Sequence, residues 1–289
     1  MYDAVALDLD GCTLLDDHTI SQTTVEKIRE LSNLKIQIMI CTGRSLPGVY
    51  KYVQQLALDK PLPCVLYNGA VGVEFARGGV DPASTTNQSS IFKAKVPANT
   101  TKAILSACKA SGHLCQYYVG DKIFVHACSD SHTSLVERYA SLTGAKHFHV
   151  DENYSEAIAE SPEPEKTLIM AEEDDVDNVY ANMLALNLPE GTNVIKGGFF
   201  VEVLATSKGS GCACLVSHLG LDRKNLIAFG DGYNDLEFIR DAGYGVAMLN
   251  GREVIKQVAK RITQNINNEE GVLKELIMLQ AEGLLPIRR

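Results

Sequence analysis

Four short groups of residues carry the chemistry open to this sequence. The first is Asp8-Leu9-Asp10-Gly11, with two acids two positions apart. At a strand end, residues so spaced can turn their side chains to the same side, and carboxylates that close repel each other or recruit a metal. Gly230-Asp231-Gly232-Tyr233-Asn234-Asp235 brings two more acids. Hard oxygen ligands with little His or Cys nearby suit Mg²⁺, which keeps several waters and favours phosphate oxygens. Thr42-Gly43-Arg44 supplies a hydroxyl and, at the glycine, exposed backbone N–H groups, and Lys208 supplies a fixed cation. Acids, a cation, a hydroxyl and backbone donors around one point describe a phosphoryl-transfer site.

Each group also has a plainer reading. Asp8 and Asp10 could simply close a strand. Asp231 and Asp235 could cap the helix expected over 234–241, and Asp235 could serve both purposes. Lys208 opens a helix, where the dipole opposes a cation, and that tilts the reading towards function. Arg44 is expected to face the substrate rather than solvent. Asn68-Gly69 is equally a tight turn or a substrate contact. Cys12 and Cys41 read as packing residues that flank the site and could make it oxidant-sensitive.

The elements that would position these residues alternate. Ala4–Asp10 is a short apolar run ending in acids and reads as a buried strand of a parallel sheet followed by a loop. A helix follows to about Asn33, capped by Ser21 or Thr23, with Val25, Ile28 and Leu31 at spacing three. Strands are expected at 36–41 and 64–67, with a helix near 46–57 between them. This β-α-β-α-β order argues for a parallel α/β sheet. Residues 77–90 read as a hairpin and connector. From about 100 the pattern becomes helix, two adjacent strands (114–119 and 122–127), a helix at 131–142, a strand at 167–171, a helix at 174–186 and strands within 193–204. Short-turn strands imply an antiparallel sheet with helices on one face. From Lys208 the alternation resumes: helix to 219, strand 226–229, helix 234–241, strand 244–248, helix 252–261, then a polar C-terminal segment. An α/β domain interrupted by an α+β insert is the resulting organisation.

Composition narrows the classes of function. The chain has 289 residues, 45% hydrophobic and 22% charged, the mix of a globular protein with a sizeable core. A net charge of −9 disfavours nucleic acid and anionic membranes as partners. No apolar run reaches the roughly 18–20 residues of a membrane span, and the start of the chain lacks the pattern of a secretory signal. The eight cysteines form no CxxC pair, so reduced thiols in a cytoplasmic protein are expected. His147 and His149 could share a strand face, but without further ligands they do not make a metal site. The acidic run Glu172–Asp175 reads as the solvated start of the following helix.

The order DxDG, TGR, Lys, GDxxND resembles the haloacid dehalogenase superfamily of phosphohydrolases. The long insertion between Thr42 and Lys208, far beyond a plain loop, resembles the type IIB cap of the Cof-like subfamily. The resemblance spans essentially the whole chain. It implies an α/β fold, a Rossmann-like parallel-sheet core formed by 1–83 and 203–289 with an inserted α+β cap domain at 84–202. It implies that Asp8 is the nucleophile that becomes an aspartyl-phosphate, that Asp10 is the acid/base, and that Lys208 neutralises the phosphoryl group and steadies Asp8. Mg²⁺ would be held by Asp8, the Asp10 carbonyl and Asp231, with Asn234 and Asp235 supporting the loop. The expected phosphate- and substrate-binding set is Thr42, Gly43, Arg44, Asn68, Lys208 and Asn234.

One position departs from the family pattern. Thr usually follows the first-motif Gly, with Leu after it; here Cys12 stands there and Thr13 follows, which puts loop rigidity and fine substrate preference in doubt. Phe238 replaces a common Met and reads as a core substitution. The implied activity is a Mg²⁺-dependent phosphatase of small phosphorylated metabolites, sugar phosphates first, acting as monomer or homodimer with leaving-group selection inside the insert. A phosphosugar mutase stays open, because the insert holds Lys93, Lys95, Lys122 and Lys146 for a second phosphate. A phospho-accepting signalling domain uses a similar residue set but is about half this size.

Overall fold

The computed structural model describes residues 1–78, 88–120, 122–126, 131–143, 145, 148–150 and 154–287. The chain divides into two compact units, one of Met1–Gly43, Val49–Phe92 and Ser207–Arg289, the other of Arg44–Gly48 and Lys93–Thr206. The expected boundary at 83/84, together with Cys128, Lys146 and His147, lies outside the described residues.

The first unit begins with β1 (Ala4–Leu7), α1 (Gln22–Asn33), β2 (Gln37–Cys41), α2 (Leu46–Leu56), β3 (Leu62–Leu66), β4 (Val71–Phe75) and β5 (Gln88–Lys93). Ser21 caps α1 by accepting from the Thr24 N–H, as its residue type favours. Val25, Ile28 and Leu31 are fully buried, each contributing roughly 1.5–3 kcal/mol of transfer free energy.

The second unit holds α3 (Ala98–Ser111), β6 (Leu114–Val119), β7 (Lys122–His126), α4 (Ser131–Thr143), β8 (Phe148–Val150), α5 (Tyr154–Glu160), β9 (Lys166–Met170), α6 (Val176–Leu184), β10 (Asn193–Lys196) and β11 (Phe200–Leu204). Its sheet has the order β10-β11-β9-β6-β7-β8. All neighbours are antiparallel except β7 and β8. One face, with Cys115, Tyr117, Ile169, Val201 and Val203, packs against α3, α5 and α6. Glu172, Glu173 and Asp174 are exposed before α6. Asp175 instead accepts from His113 Nε2 at 2.7 Å and from Asn178 Nδ2 at 2.9 Å. His149 stacks on Phe124 with ring centroids 5.4 Å apart.

The chain returns to the first unit with α7 (Lys208–His218), β12 (Leu226–Gly230), α8 (Leu236–Asp241), β13 (Tyr244–Ala247), α9 (Glu253–Val258), β14 (Arg261–Ile262) and α10 (Gly271–Ala281). Its sheet runs β14-β13-β12-β1-β2-β3-β4-β5. β1 lies parallel between β12 and β2, with Leu7 level with Phe229 and Ile40. Three strands therefore end at one sheet edge, each followed by polar residues: Asp8, Thr42 and Asp231. That edge is where open α/β sheets bind ligands.

Three expectations need correction. Residues 71–75, to which the sequence reading assigns no element, form β4, antiparallel to β3 with Leu66 opposite Val71, and β5 continues the sheet; most of the hairpin and connector expected over 77–90 lies outside the described residues. β5 reads as loop because Gln88-Ser89-Ser90 at its start is polar and half-exposed. β8 and α5 were also unforeseen, being short. The C-terminal segment is a helix, not a polar tail. Val272, Leu273, Leu276 and Leu279 of α10 are buried, and the polar run Asn265–Glu270 before them conceals that spacing.

Candidate active site

Asp8 sits one residue past β1, with its N–H donating to Phe229 O at 3.1 Å. The chain then coils through one wide turn, Leu9–Thr13, with Gly11 at φ +70°. A side chain at Gly11 would strain that turn and place its Cβ 2.5 Å from Asp231 Oδ2. Cys12 is 1% exposed, inside the apolar core. Thr13 answers the departure at Cys12: its Oγ1 donates to Asp8 O at 2.6 Å and ties the turn to Asp8. The Cys12 and Cys41 thiols are pushed well up by burial, so neither has the exposed thiolate that oxidation needs, and the expected oxidant sensitivity is withdrawn.

Asp8 and Asp10 do not form a matched pair. Asp8 is 4% exposed, whereas the Asp10 side chain is 45% exposed. The strand has ended at Leu7, so the alternation behind the same-side expectation no longer applies. The carboxylates that do converge are Asp8, Asp231 and Asp235, with ligand atoms all within 4.8 Å of one another.

One cation meets them. Lys208, the first residue of α7, is fully buried and donates to Asp8 Oδ1 at 2.6 Å and to Asp235 Oδ1 at 2.5 Å. Burial pulls its pKa down, but Asp235 and Asp8 more than offset that and hold the ammonium charged. Asp235 is fully committed: its Oδ2 accepts from the backbone N–H of Asp231 and of Gly232, both at 2.9 Å. Through the Gly232 N–H it closes the turn Tyr233–Asp235 that leads into α8, so Asp235 both caps this start and braces Lys208, as the sequence allowed.

Asp8 and Asp231 remain, with carboxylate oxygens within 4.8 Å of each other. Burial raises both, and neighbouring carboxylates add to the rise. Asp231 is pushed up to about 7, by burial first and Asp235 second. With all three ionised, two buried carboxylates and the half-buried Asp231 would face one ammonium among the described residues, leaving two negative charges uncompensated. A small divalent cation with oxygen ligands would supply that balance, so the donor set fits Mg²⁺.

Thr42 is buried at the end of β2, its N–H on Val65 O at 2.9 Å and its carbonyl accepting the Asn68 N–H at 3.1 Å. Tyr67 and Asn68 both have φ of +51°, an uncommon conformation for side-chain-bearing residues. It turns the Asn68 amide between two loops. Gly43 approaches so closely that a Cβ there would lie 2.8 Å from Asn68 Oδ1, and the same oxygen accepts from Asn234 Nδ2 at 2.9 Å. The first unit thus gathers Asp8, Asp10, Thr42, Gly43, Asn68, Lys208, Asp231, Asn234 and Asp235. Arg44 falls in the second unit. It is 6% exposed and donates from Nη1 to Thr143 O at 3.0 Å, the last carbonyl of α4, a favourable place for a cation.

Two residues of the site escaped the sequence reading. Asn250 donates from Nδ2 to Gly11 O at 2.7 Å. Asn267 donates from its backbone to Asn250 Oδ1 at 3.0 Å, and from Nδ2 to Leu14 O and Asp16 Oδ1, both at 3.0 Å. Asn250-Gly251 carries the same strand-end signal as Asn68-Gly69; Asn267 carries none.

A buried carboxylate–lysine cluster at the carboxyl edge of a parallel sheet defines a phosphoryl-transfer class of enzyme. The sequence model of the haloacid dehalogenase-like hydrolases matches residues 5–276, and the chain belongs to that family. Within it, the protein is a phosphoric monoester hydrolase. It is 30% identical over 278 residues to the 5-amino-6-(5-phospho-D-ribitylamino)uracil phosphatase YitU of Bacillus subtilis, covering 94% of this chain and 95% of the relative. A crystal structure of a haloacid dehalogenase-like hydrolase from Bacteroides thetaiotaomicron superposes with a TM-score of 0.78 at 24% identity, covering 96% of this chain and 100% of that one. The subclass IIB sugar phosphatase BT4131 gives 0.77 at 21% identity, covering 98% and 100%. These two structures share the fold. Among the described residues, no helix is long and apolar enough to cross a membrane.

Proposed function

We propose that the protein is a Mg²⁺-dependent phosphatase of small phosphorylated metabolites, working through an aspartyl-phosphate on Asp8. The observation that carries this reading is the Lys208 bridge between Asp8 and Asp235 beside the uncompensated Asp231. The bridge aims one Asp8 oxygen at the ammonium, and Lys208 together with a bound metal would hold the carboxylate ionised against its burial, as a nucleophile must be. Asp8 attacks phosphorus, an O–P bond forms, and the P–O bond to the leaving group breaks. Asp10, open to solvent where Asp8 is not, gives its proton to the departing oxygen. It then takes a proton from the water that attacks the phospho-aspartate, releasing phosphate and restoring Asp8. Lys208 and the backbone N–H groups about Thr42 and Gly43 hold the phosphoryl oxygens. Asp8, the Asp10 carbonyl and Asp231 would hold Mg²⁺, which cancels charge between the two anions.

The substrate class is an alkyl phosphate on a sugar or polyol. The relative named for a phosphoribitylamino-uracil and the structural neighbour named a sugar phosphatase both support such leaving groups. We place the reaction in the cytoplasm, where the buried thiols at Cys12, Cys41 and Cys64 stay reduced. The test is phosphate release from a panel of sugar, polyol, nucleotide and pyridoxal phosphates, with Mg²⁺, with chelator, and with Asp8→Asn. Release that needs Mg²⁺ and disappears in Asp8→Asn is expected. A folded protein that releases phosphate from none of them would overturn the reading.

A further inference from the structure

His18 is dispersed among the histidines in the sequence, yet the fold spends several interactions on placing it. It lies in the turn between Leu14 and Ile20, closed by the His18 N–H on Leu15 O and the Leu15 N–H on Thr19 O, both at 2.9 Å. Asp17 Oδ1 braces the turn by accepting from the Thr19 N–H at 2.9 Å and from Thr19 Oγ1 at 2.6 Å. The turn is fastened to α2: the His18 carbonyl accepts from Lys51 Nζ and from Tyr52 Oη, both at 3.1 Å, and the Ile20 carbonyl accepts from Gln55 Nε2 at 2.7 Å. On its other side Asn267 holds Leu14 and Asp16.

The backbone of His18 is held at φ +59°, a region that a side-chain-bearing residue rarely adopts and that Gly or Asn occupies at less cost. Such strain persists only where the surroundings over-determine it. Its effect here is to bring His18 Nδ1 to 3.6 Å from Asp10 Oδ1, with the two side chains 38% and 45% exposed. Neither of these groups belongs to the buried Lys208 cluster. Both are open to solvent.

We propose that His18 is a positioning residue for Asp10. It holds the carboxyl in the orientation from which the proton passes to the leaving-group oxygen. The separation is longer than a hydrogen bond, and contacts of this kind shorten when substrate is bound. The proposal rests on the reading of Asp10 as general acid, and the experiment separates the two.

The discriminating variable is the leaving group. A sugar or polyol alkoxide cannot depart without a proton, whereas nitrophenolate can. The rate of leaving-group release in a single turnover is measured for an alkyl phosphate and for p-nitrophenyl phosphate, with Mg²⁺ present. His18→Ala is expected to slow alkyl release by about ten- to a hundredfold, a part of the 10²–10⁴ that general acid catalysis supplies. Nitrophenol release should change by less than about threefold. His18→Asn, which suits a positive φ and keeps a donor, should recover part of the alkyl rate and serves if the alanine variant folds poorly. Asp10→Asn should show the same selectivity, more strongly. If both His18 variants slow the two esters equally, or slow neither, while Asp10→Asn remains selective, the role of His18 is overturned and Asp10 stands. If Asp10→Asn shows no selectivity, the general-acid reading fails and the proposal goes with it.

Discussion

Lys208 is the residue on which the site's electrostatics turn. Its ammonium is hydrogen-bonded to both Asp8 and Asp235, and its side chain is fully buried. Removing one partner from a buried ionic cluster typically costs about 3–5 kcal/mol, because the remaining charges are left uncompensated. Lys208→Ala should therefore lower the melting temperature of the metal-free protein as well as abolish phosphate release. A variant with wild-type stability would mean that Asp8 and Asp235 take up protons at no cost. Asn68 is a second case, where the sequence left a turn and a substrate contact equally open. Its amide oxygen is engaged by Asn234 and its faces by Gly43, which makes it the joint between the Thr42 and Asp231 loops. Asn68→Ala is expected to reduce kcat several-fold and to weaken Mg²⁺ binding, read by titration calorimetry, while Asn68→Asp keeps only the acceptor and recovers part of both. Asp8, Lys208 and Asp231 were legible from residue type and place, because acids at strand ends and a lysine at a helix start are costly without a use. Thr13 and His18 were not, because their contribution depends on where a turn directs them.

At the scale of elements, apolar runs were the most legible feature. β1, β2 and β12 are continuous buried runs, and the acids that end them mark the sheet edge. Amphipathic spacing with a cap disclosed α1. Short or edge elements were hidden: β14 has two residues, and β5 presents polar side chains at the margin of its sheet. α10 is the informative failure. A helix that looked like a tail is preceded by a turn at Asn267–Glu269 whose side chains grip the first-motif loop. Asn267 is 8% exposed, and leaving the buried Leu14 carbonyl it bonds unsatisfied should cost about 1–3 kcal/mol. Asn267→Ala is accordingly expected to lower the chemical-denaturation midpoint. It should also reduce activity more than an equally destabilising core change such as Leu276→Ala, because it frees the loop that carries Asp10 and His18. Equal activity loss at matched stability would show that the grip is structural only.

For the whole molecule, the consequence of the site is a dependence of stability on pH that a metal should reverse. Asp231 is pushed up to about 7, chiefly by burial and then by Asp235, whereas in the unfolded chain it titrates near the ordinary carboxylate value. Between those two values the folded protein keeps a proton that the unfolded chain has lost. The folded state then binds more protons, so stability falls as pH rises across this window. The shift of Asp8 has the same sign, with burial again the largest cause. His113 works the other way at low pH: its hydrogen bond holds Asp175 below the usual range, which adds stability that is lost as pH falls through the folded value. An optimum on the acid side of neutrality follows for the metal-free protein. Mg²⁺ binds the ionised carboxylates and must displace their protons, so its stabilisation grows with pH. Melting temperatures at pH 5 and pH 8, with chelator and with millimolar Mg²⁺, test this directly. The chelated protein should melt lower at pH 8 than at pH 5, and Mg²⁺ should raise the melting temperature by several degrees at pH 8 and by little at pH 5. A Mg²⁺ effect of the same size at both values would mean that Asp8 and Asp231 are already ionised without the metal. Asp231→Asn separates the causes: it should remove the Asp231 share of the pH slope in chelator, leaving that of Asp8, and should remove the response to Mg²⁺, for which Asp231 supplies a ligand oxygen.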